Sequence, residues 1–393
     1  MIRNLAPPFL ASYRVPSMTD HVTVKISALA SFLTQMFEHY GFPHEDAAFI
    51  TETLIDSDRR GIASHGLQRV ALYENKLHQH TIDPAAASVI ATDVLACAVI
   101  DGHDGIGQLI SRNAMDLAIH KANEYGIGMV AVRGSNHFGA AGIYARMAAD
   151  QGLVGIVATN SFALVVPTHA NVPALGSNPL AFAVGSGDNQ FVFDAATCTV
   201  SLGKIEILAK INQPIPGAWA VNEQGDLEHN AGAALATILR AEQGGLTPLG
   251  GIGEIESGHK GYGLGLMVEI LTSVLSGGIS SLDLKGQGVC HWFTAVKLDA
   301  FGGADAVAER LAELFNRLRS LPSSDGQPVI IPGDKERTHE ALHTDTLSVD
   351  RATYKELQSI AQRLGLRAPG RDPATDTSED REAHMGQSEE NPT

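Results

Sequence analysis

The chain opens with a helical pattern of apolar positions. Within residues 25–40, Ile26, Leu29, Phe32, Leu33 and Phe37 recur at three- and four-residue spacing, which predicts an amphipathic helix. Gly41, Phe42 and Pro43 interrupt it. Pro43 followed by Glu45 and Asp46 suits the first turn of a second helix, where proline loses no hydrogen bond and acidic groups meet the positive end of the dipole. That helix is expected to reach about Arg60, with Gly61 as its stop and "RRGIASHGLQR" (59–69) as a loop. Beyond it, short apolar runs predict strands over 95–101, 127–133, 153–160, 179–185, 190–197 and 293–301, and a strand ending in a loop over 328–336. Between them, helical spacing predicts helices over 107–126, 140–152, 262–275, 304–320 and 350–364.

No internal repeat is visible, and 393 residues suggest more than one core. The expected partition is an N-terminal extension (1–20), a helical domain (21–90), an α+β domain (91–300) and a segment (301–367) that returns to the helical domain. A polar, acidic tail (368–393) has too few apolar groups to offset its ordering entropy and is expected to be disordered.

Charge and cysteine content narrow the function classes. A net charge of −16 opposes binding to phosphate backbones. Cys97, Cys198 and Cys290 are scattered, which fits a reducing compartment without a disulfide framework. No apolar run approaches membrane-spanning length and the N-terminus lacks a signal-peptide core, so the expected location is cytoplasmic.

The usual cofactor signatures are absent. No G-x-G-x-x-G lies between a strand and a helix. "GEIESGHKG" (253–261) nearly spells a P-loop, but His259 takes the lysine position and Lys260, followed by Gly261, stands where a hydroxyl should hold magnesium. What remains is a lysine beside flexible backbone at a helix start, a generic phosphate site. His65, His137, His169 and Asp194 lack metal-ligand spacing, and Ser64 lies in no nucleophile elbow, so no metal is assigned and a hydrolase is disfavoured. Polar clusters at element ends persist nonetheless. "GSNHFGAAGIYA" (134–145) is expected to project Asn136 and His137 from a strand end, and "VFDAAT" (192–197) puts Asp194 at another.

Six ordered blocks, "GIASHGLQR", "GSNHFGAAGIYA", "ALGSNPLAFAVG", "FDAAT", "GHKGYGLGLMVEIL" and "PGDKE", resemble the malate/L-lactate dehydrogenase family over about residues 22–366. That family also includes ureidoglycolate dehydrogenase, 2,3-diketogulonate reductase, sulfolactate dehydrogenase and cyclic-imine carboxylate reductases. The resemblance implies an α+β fold with a non-Rossmann NAD(P)-binding domain on a mixed, largely antiparallel sheet, and a helical domain from both chain ends. It implies a homodimer acting on a small anionic 2-oxo or 2-hydroxy acid with NAD or NADP.

By this resemblance His65 is the acid–base group, with Ser64 orienting it or the substrate. Arg69 is the carboxylate anchor, His137 a second candidate base, and Asp194 a carboxylate near the nicotinamide. Ser161, Ser177, Asn178, Ala195, Ala196, Lys260, Gly333 and Asp334 are expected to bind cofactor. The chemistry suits these types: histidine titrates near working pH, and a guanidinium grips a carboxylate through parallel bonds. The plainer readings stand beside them: a helix-end histidine bonded to carbonyls, a surface arginine, a strand-end aspartate capping amides, and a helix-start lysine. "EQGDLEHNAG" (223–232) departs from the acidic-proline pattern expected there, which leaves local contacts open. The competing functions are cyclic-imine carboxylate reduction and nucleotide binding without catalysis.

Overall fold

In a computed structural model, residues 21–370 are described; the extension 1–20 and the tail from residue 371 onward lie outside them. The chain forms β1 (His21–Lys25), α1 (Ile26–His39), α2 (His44–Arg59), α3 (Val70–His78), β2 (Val89–Val94), β3 (Cys97–Asp101), α4 (Gly107–Tyr125) and β4 (Ile127–Ser135). There follow α5 (Ala141–Ala149), β5 (Leu153–Thr159), β6 (Leu180–Val184), β7 (Phe191–Ala195), α6 (Leu202–Lys210), β8 (Ala220–Val221), α7 (Ala231–Arg240) and β9 (Gly245–Leu246). The last elements are α8 (Gly258–Glu269), β10 (Val289–Lys297), α9 (Ala304–Arg319), α10 (Asp334–Leu342), β11 (Thr346–Asp350) and α11 (Arg351–Leu364). Two compact units result, one from residues up to Glu74 and from Glu340 onward, the other from Asn75 to His339.

The first unit is built on the predicted helical face. Leu29, Phe32, Leu33, Met36 and Phe37 of α1 are almost fully buried, as are Ile50 and Leu54 of α2 and Leu357 and Ile360 of α11. Each such side chain contributes about 1.5–3 kcal/mol by leaving water. α2 starts after Pro43 with Glu45 and Asp46 in its first turn, and Gly61 at φ 76° follows its end. β1 pairs antiparallel with β11, Thr23 opposite Ser348.

The second unit carries a seven-stranded sheet in the order β2-β3-β4-β10-β5-β6-β7. β3 and β4 run parallel and the other neighbours antiparallel, so the sheet is mixed and the architecture α+β. α4 packs on β4 and β10, and α5 on β5 and β6. α8 runs on into a π-helical turn, Ile270–Val274. Among the described residues no helix is long and apolar enough to cross a membrane.

Three expectations are corrected. The strand expected over 293–301 lies at Val289–Lys297, because Leu298–Phe301 curl into a 3-10 turn before Gly302. In the added N-terminal part of the strand His291 is buried, its ring nitrogens 2.8 Å from Thr159 Oγ1 and Ser135 Oγ. Residues 328–331 form no strand: Pro328 and Pro332 cannot donate to a ladder, and Asp334 opens α10. Asn136 does not project from β4. It is fully buried, accepting from Lys76 Nζ at 2.9 Å and donating to the Asp104 and Gly105 carbonyls.

Candidate active site

In the first unit, the segment after α2 is two successive 3-10 turns, Ala63–His65 and Leu67–Arg69, and not an open loop. Three contacts fix their shape. Ser64 Oγ lies 2.9 Å from His65 Nδ1. Arg69 Nε donates to the Ser64 carbonyl at 2.6 Å. The Leu67 N–H donates to Asp58 Oδ2 at 2.6 Å. A Cβ on Gly66 would lie 1.9 Å from that same oxygen, so only glycine lets the carboxylate sit this close. Burial, with the Arg69 guanidinium, pushes the His65 imidazole down to about 4. Ser64, His65 and Arg69 are therefore one mechanically linked group. Arg59 and Arg60 point elsewhere, to Glu340.

In the second unit, β4 leads into the His137 loop and then α5. Gly139 N–H approaches His137 Nδ1 at 3.4 Å. At the start of α5, the Gly142 N–H donates to Asp194 Oδ2 at 2.7 Å. Asp194 keeps solvent contact yet is ringed by protein. Desolvation pushes its carboxyl up to about 6, opposed by the Gly142 bond and aided by Glu336. His137 thus precedes α5 along the chain, and Asp194 accepts an amide from the first turn of that helix.

The ends of β5 and β6 meet in a polar shelf. Ser177 N–H donates to Ser161 Oγ at 3.1 Å, and Asn178 Oδ1 accepts from Ser161 N–H at 3.3 Å. Beneath them Glu269 of α8 receives Asn160 Nδ2, Asn178 Nδ2, Ser273 Oγ, and both the N–H and Oγ of Ser281. Thr197, just past Ala195 and Ala196, donates its N–H to the Ser177 carbonyl. Lys260 is exposed in the first turn of α8. There Gly261 packs so closely on Leu249 that a Cβ would meet its carbonyl oxygen at 2.2 Å. An exposed lysine in the first turn of a helix would suit a phosphate group.

Gly333 abuts Val192 of β7, and the Pro332 carbonyl accepts from Val192 N–H. Asp334 accepts from Ile331 N–H and is gripped by Arg319 and Arg337. Its burial works against the charge, but those partners hold its carboxyl below the usual range. The departing segment at 223–232 is a turn closed by Asn222 and a helix cap, Asn230 accepting from Ala233 N–H. His169 faces Glu254 at 3.6 Å. Among the described residues no group of three or more His, Cys, Asp or Glu could hold a metal. Asp58, Asn160, Lys76 and Glu269 support these groups and were not singled out by sequence, since nothing local marks a carboxylate that acts across a fold.

Comparison with known proteins places the chain in a chemical class. The family model described as malate/L-lactate dehydrogenase matches residues 24–358. A malate dehydrogenase of Pyrococcus abyssi is 37% identical over 355 residues, 88% of this chain and 96% of that protein. A Delta(1)-pyrroline-2-carboxylate/Delta(1)-piperideine-2-carboxylate reductase of Pseudomonas syringae pv. tomato is 31% identical over 86% of this chain and 96% of its own. The structure of malate dehydrogenase from Pyrococcus horikoshii OT3 superposes with a TM-score of 0.79 at 34% identity, covering 89% of this chain and 97% of that one. Such matches define an oxidoreductase. The chain belongs to the malate/L-lactate dehydrogenase family.

Proposed function

We propose that this protein interconverts a small 2-hydroxy acid and its 2-oxo acid, with NAD or NADP as partner. The observation that carries the reading is the turn itself: a proton-transfer group and an anion-binding group bound to the same serine, Ser64. Arg69 takes the substrate carboxylate. Its Nε is spent on the Ser64 carbonyl, so the end-on Nη pair is the face it offers. His65 moves the proton at the substrate oxygen. At neutral pH its lowered pKa leaves it neutral, a base for the hydroxy acid. A carboxylate on Arg69 would offset the charge that depresses His65, so substrate binding favours the protonated ring needed for reduction. Ser64 holds the ring by Nδ1.

The nicotinamide, when bound, donates or accepts a hydride at C4. Lys260, Ser161, Ser177, Asn178, Ala195 and Ala196 are the chain's own groups for holding the nucleotide, with Gly333 and Asp334 at its edge. His137 is the second candidate for the proton, and Asp194 the carboxylate that accompanies it. Reduction of a cyclic imine carboxylate is the alternative, supported by the relative of that name, and would use the same arginine. A panel of pyruvate, oxaloacetate, pyrroline-2-carboxylate and piperideine-2-carboxylate, with NADH and NADPH in turn, separates the two. Loss of reduced-nicotinamide absorbance with the oxo acids is expected; turnover of the imines alone would replace the main reading, and inertness throughout would leave only nucleotide binding.

A homodimer belongs to the same proposal. α8 and its π turn expose Met267, Ile270 and Val274, and Leu275 and Leu282 (66% exposed) follow. An apolar stripe of this kind calls for a covering surface. Light scattering should give twice the 41.5 kDa chain mass, and a monomer at micromolar concentration would refute it.

A further inference from the structure

We infer that Asp58 is a positioning residue: its carboxylate, received by the Leu67 N–H, holds the turn that presents His65 and Arg69. The inference rests on the role proposed above for that turn. Asp58 lies in the last turn of α2, one residue before that helix ends. Its oxygen reaches past Gly66 to the amide of Leu67, 2.6 Å away, at the junction of the two 3-10 turns. Gly66 carries no side chain to prevent this, and its φ of −98° is no demand for glycine, so the demand is steric. Leu67 is itself buried. One carboxylate thereby fixes the hinge between the residue that moves the proton and the residue that holds the substrate. If the bond were absent, Gly66 would be the natural point of flexion.

This clamp is also titratable. Burial pushes Asp58 up to about 7, against the Leu67 bond, and Asp350 pushes the same way. The elements packed on α2 bring His65 and Arg69 from the turn, and Glu38 and His39 from α1. On α2 itself, Asp56 binds Arg60, while Arg59 and Arg60 reach Glu340. None of these cations makes an ion pair with Asp58 among the described residues. An ionised carboxylate accepts from an amide more strongly than a neutral one. The turn is therefore held more firmly as pH rises through neutrality.

The test uses the full-length protein and three variants. Asp58→Asn keeps an acceptor oxygen in place but cannot ionise, Asp58→Ala removes the acceptor, and Gly66→Ala forces the carboxylate aside. Expected for Asp58→Ala is a rise of about tenfold in KM for the carboxylate substrate with a fall in kcat, and faster deuterium exchange across 62–69. Asp58→Asn should restore both to within about threefold at pH 6 and lose the wild-type rise of kcat/KM around pH 7. Gly66→Ala should add little to Asp58→Ala, because both break one contact. Wild-type kinetics and wild-type exchange in Asp58→Ala would overturn the inference. If that variant fails to fold, an unchanged pH profile in Asp58→Asn overturns it instead. Exchange does not depend on turnover, so a failure of the proposed reaction would appear separately, in the substrate panel with unmodified enzyme.

Discussion

Two acidic side chains lie under the two regions to which chemistry is assigned, and they are satisfied very differently. Glu269 supports the Ser161–Asn178 shelf and receives five hydrogen bonds, from two asparagines, one serine hydroxyl, and the amide and hydroxyl of Ser281. Asp58 supports the Ser64–Arg69 turn and receives one among the described residues, from Leu67. A carboxylate surrounded by donors is fixed, and each donor it orients is fixed with it. Asp58 has that single donor, and burial pushes its carboxyl up to about 7. The shelf is thus suited to a ligand whose position must not vary, such as a nucleotide. The turn suits a group whose charge changes during a reaction. His65 fits the same contrast: burial lowers its pKa, and the Arg69 charge, which a substrate can offset, lowers it further.

The strongest way to break this division is to remove one group from each side. His65→Ala should lower turnover by about a hundredfold or more, the range expected for loss of a positioned acid–base group. Binding of reduced nucleotide, followed by its fluorescence, should stay within about twofold, since no shelf contact is touched. Lys260→Ala should do the reverse. Loss of one charge-assisted phosphate contact, about 1.5–3 kcal/mol, raises nucleotide Kd roughly tenfold to a hundredfold while kcat at saturation changes little. Full turnover in His65→Ala would remove the turn from the chemistry and shift the proton to His137. Equal effects of both variants on both quantities would erase the distinction between the regions.

Sequence patterns revealed the two regions unequally. The α1 face was legible because helical spacing is local, and Leu29, Phe32, Leu33 and Phe37 are all buried as their period requires. The family blocks brought Ser64, His65 and Arg69 forward, yet the bonds between them depend on a fold into two 3-10 turns that no period announces. β1 and β11 pair across more than 300 residues, and no local signal reports a partner so distant. β2 is exposed at every position, so it lacks the alternation that marks a half-buried strand. The start of β10, residues 289–292, lies outside the predicted strand, and it is held by Ser135 and Thr159, which satisfy the His291 imidazole from neighbouring strands. Asn136 looked like a projecting polar group because strand ends usually carry them; Lys76 and two carbonyls draw it inward. The support layer of Asp58 and Glu269 leaves no mark in the sequence, since it exists only through contacts across the fold.

The smallest expected effect concerns stability, and its sign differs between the carboxylates and the histidine. Asp58 rises from 3.8 to about 7 and Asp194 from 3.8 to about 6 on folding. For an acid raised in this way, the stabilising contribution is complete below pH 3.8 and is lost as pH climbs through the folded value. His65 falls from 6.5 to about 4, so its contribution is complete above pH 6.5 and lost as pH drops toward 4. Replacing Asp58 by the neutral isostere should therefore leave melting unchanged near pH 4 and raise it at pH 8. After discount for solvent access the gain is on the order of 1 kcal/mol, a few degrees for a chain of this size. Asp194→Asn should show the same sign with a smaller amplitude, because its side chain keeps solvent contact. A Tm difference between Asp58→Asn and the unmodified protein that stays flat from pH 4 to 8 would mean that Asp58 does not titrate in this range. The turn would then be held by a fixed charge, as firmly as the shelf, and the contrast between the two regions would reduce to their number of donors.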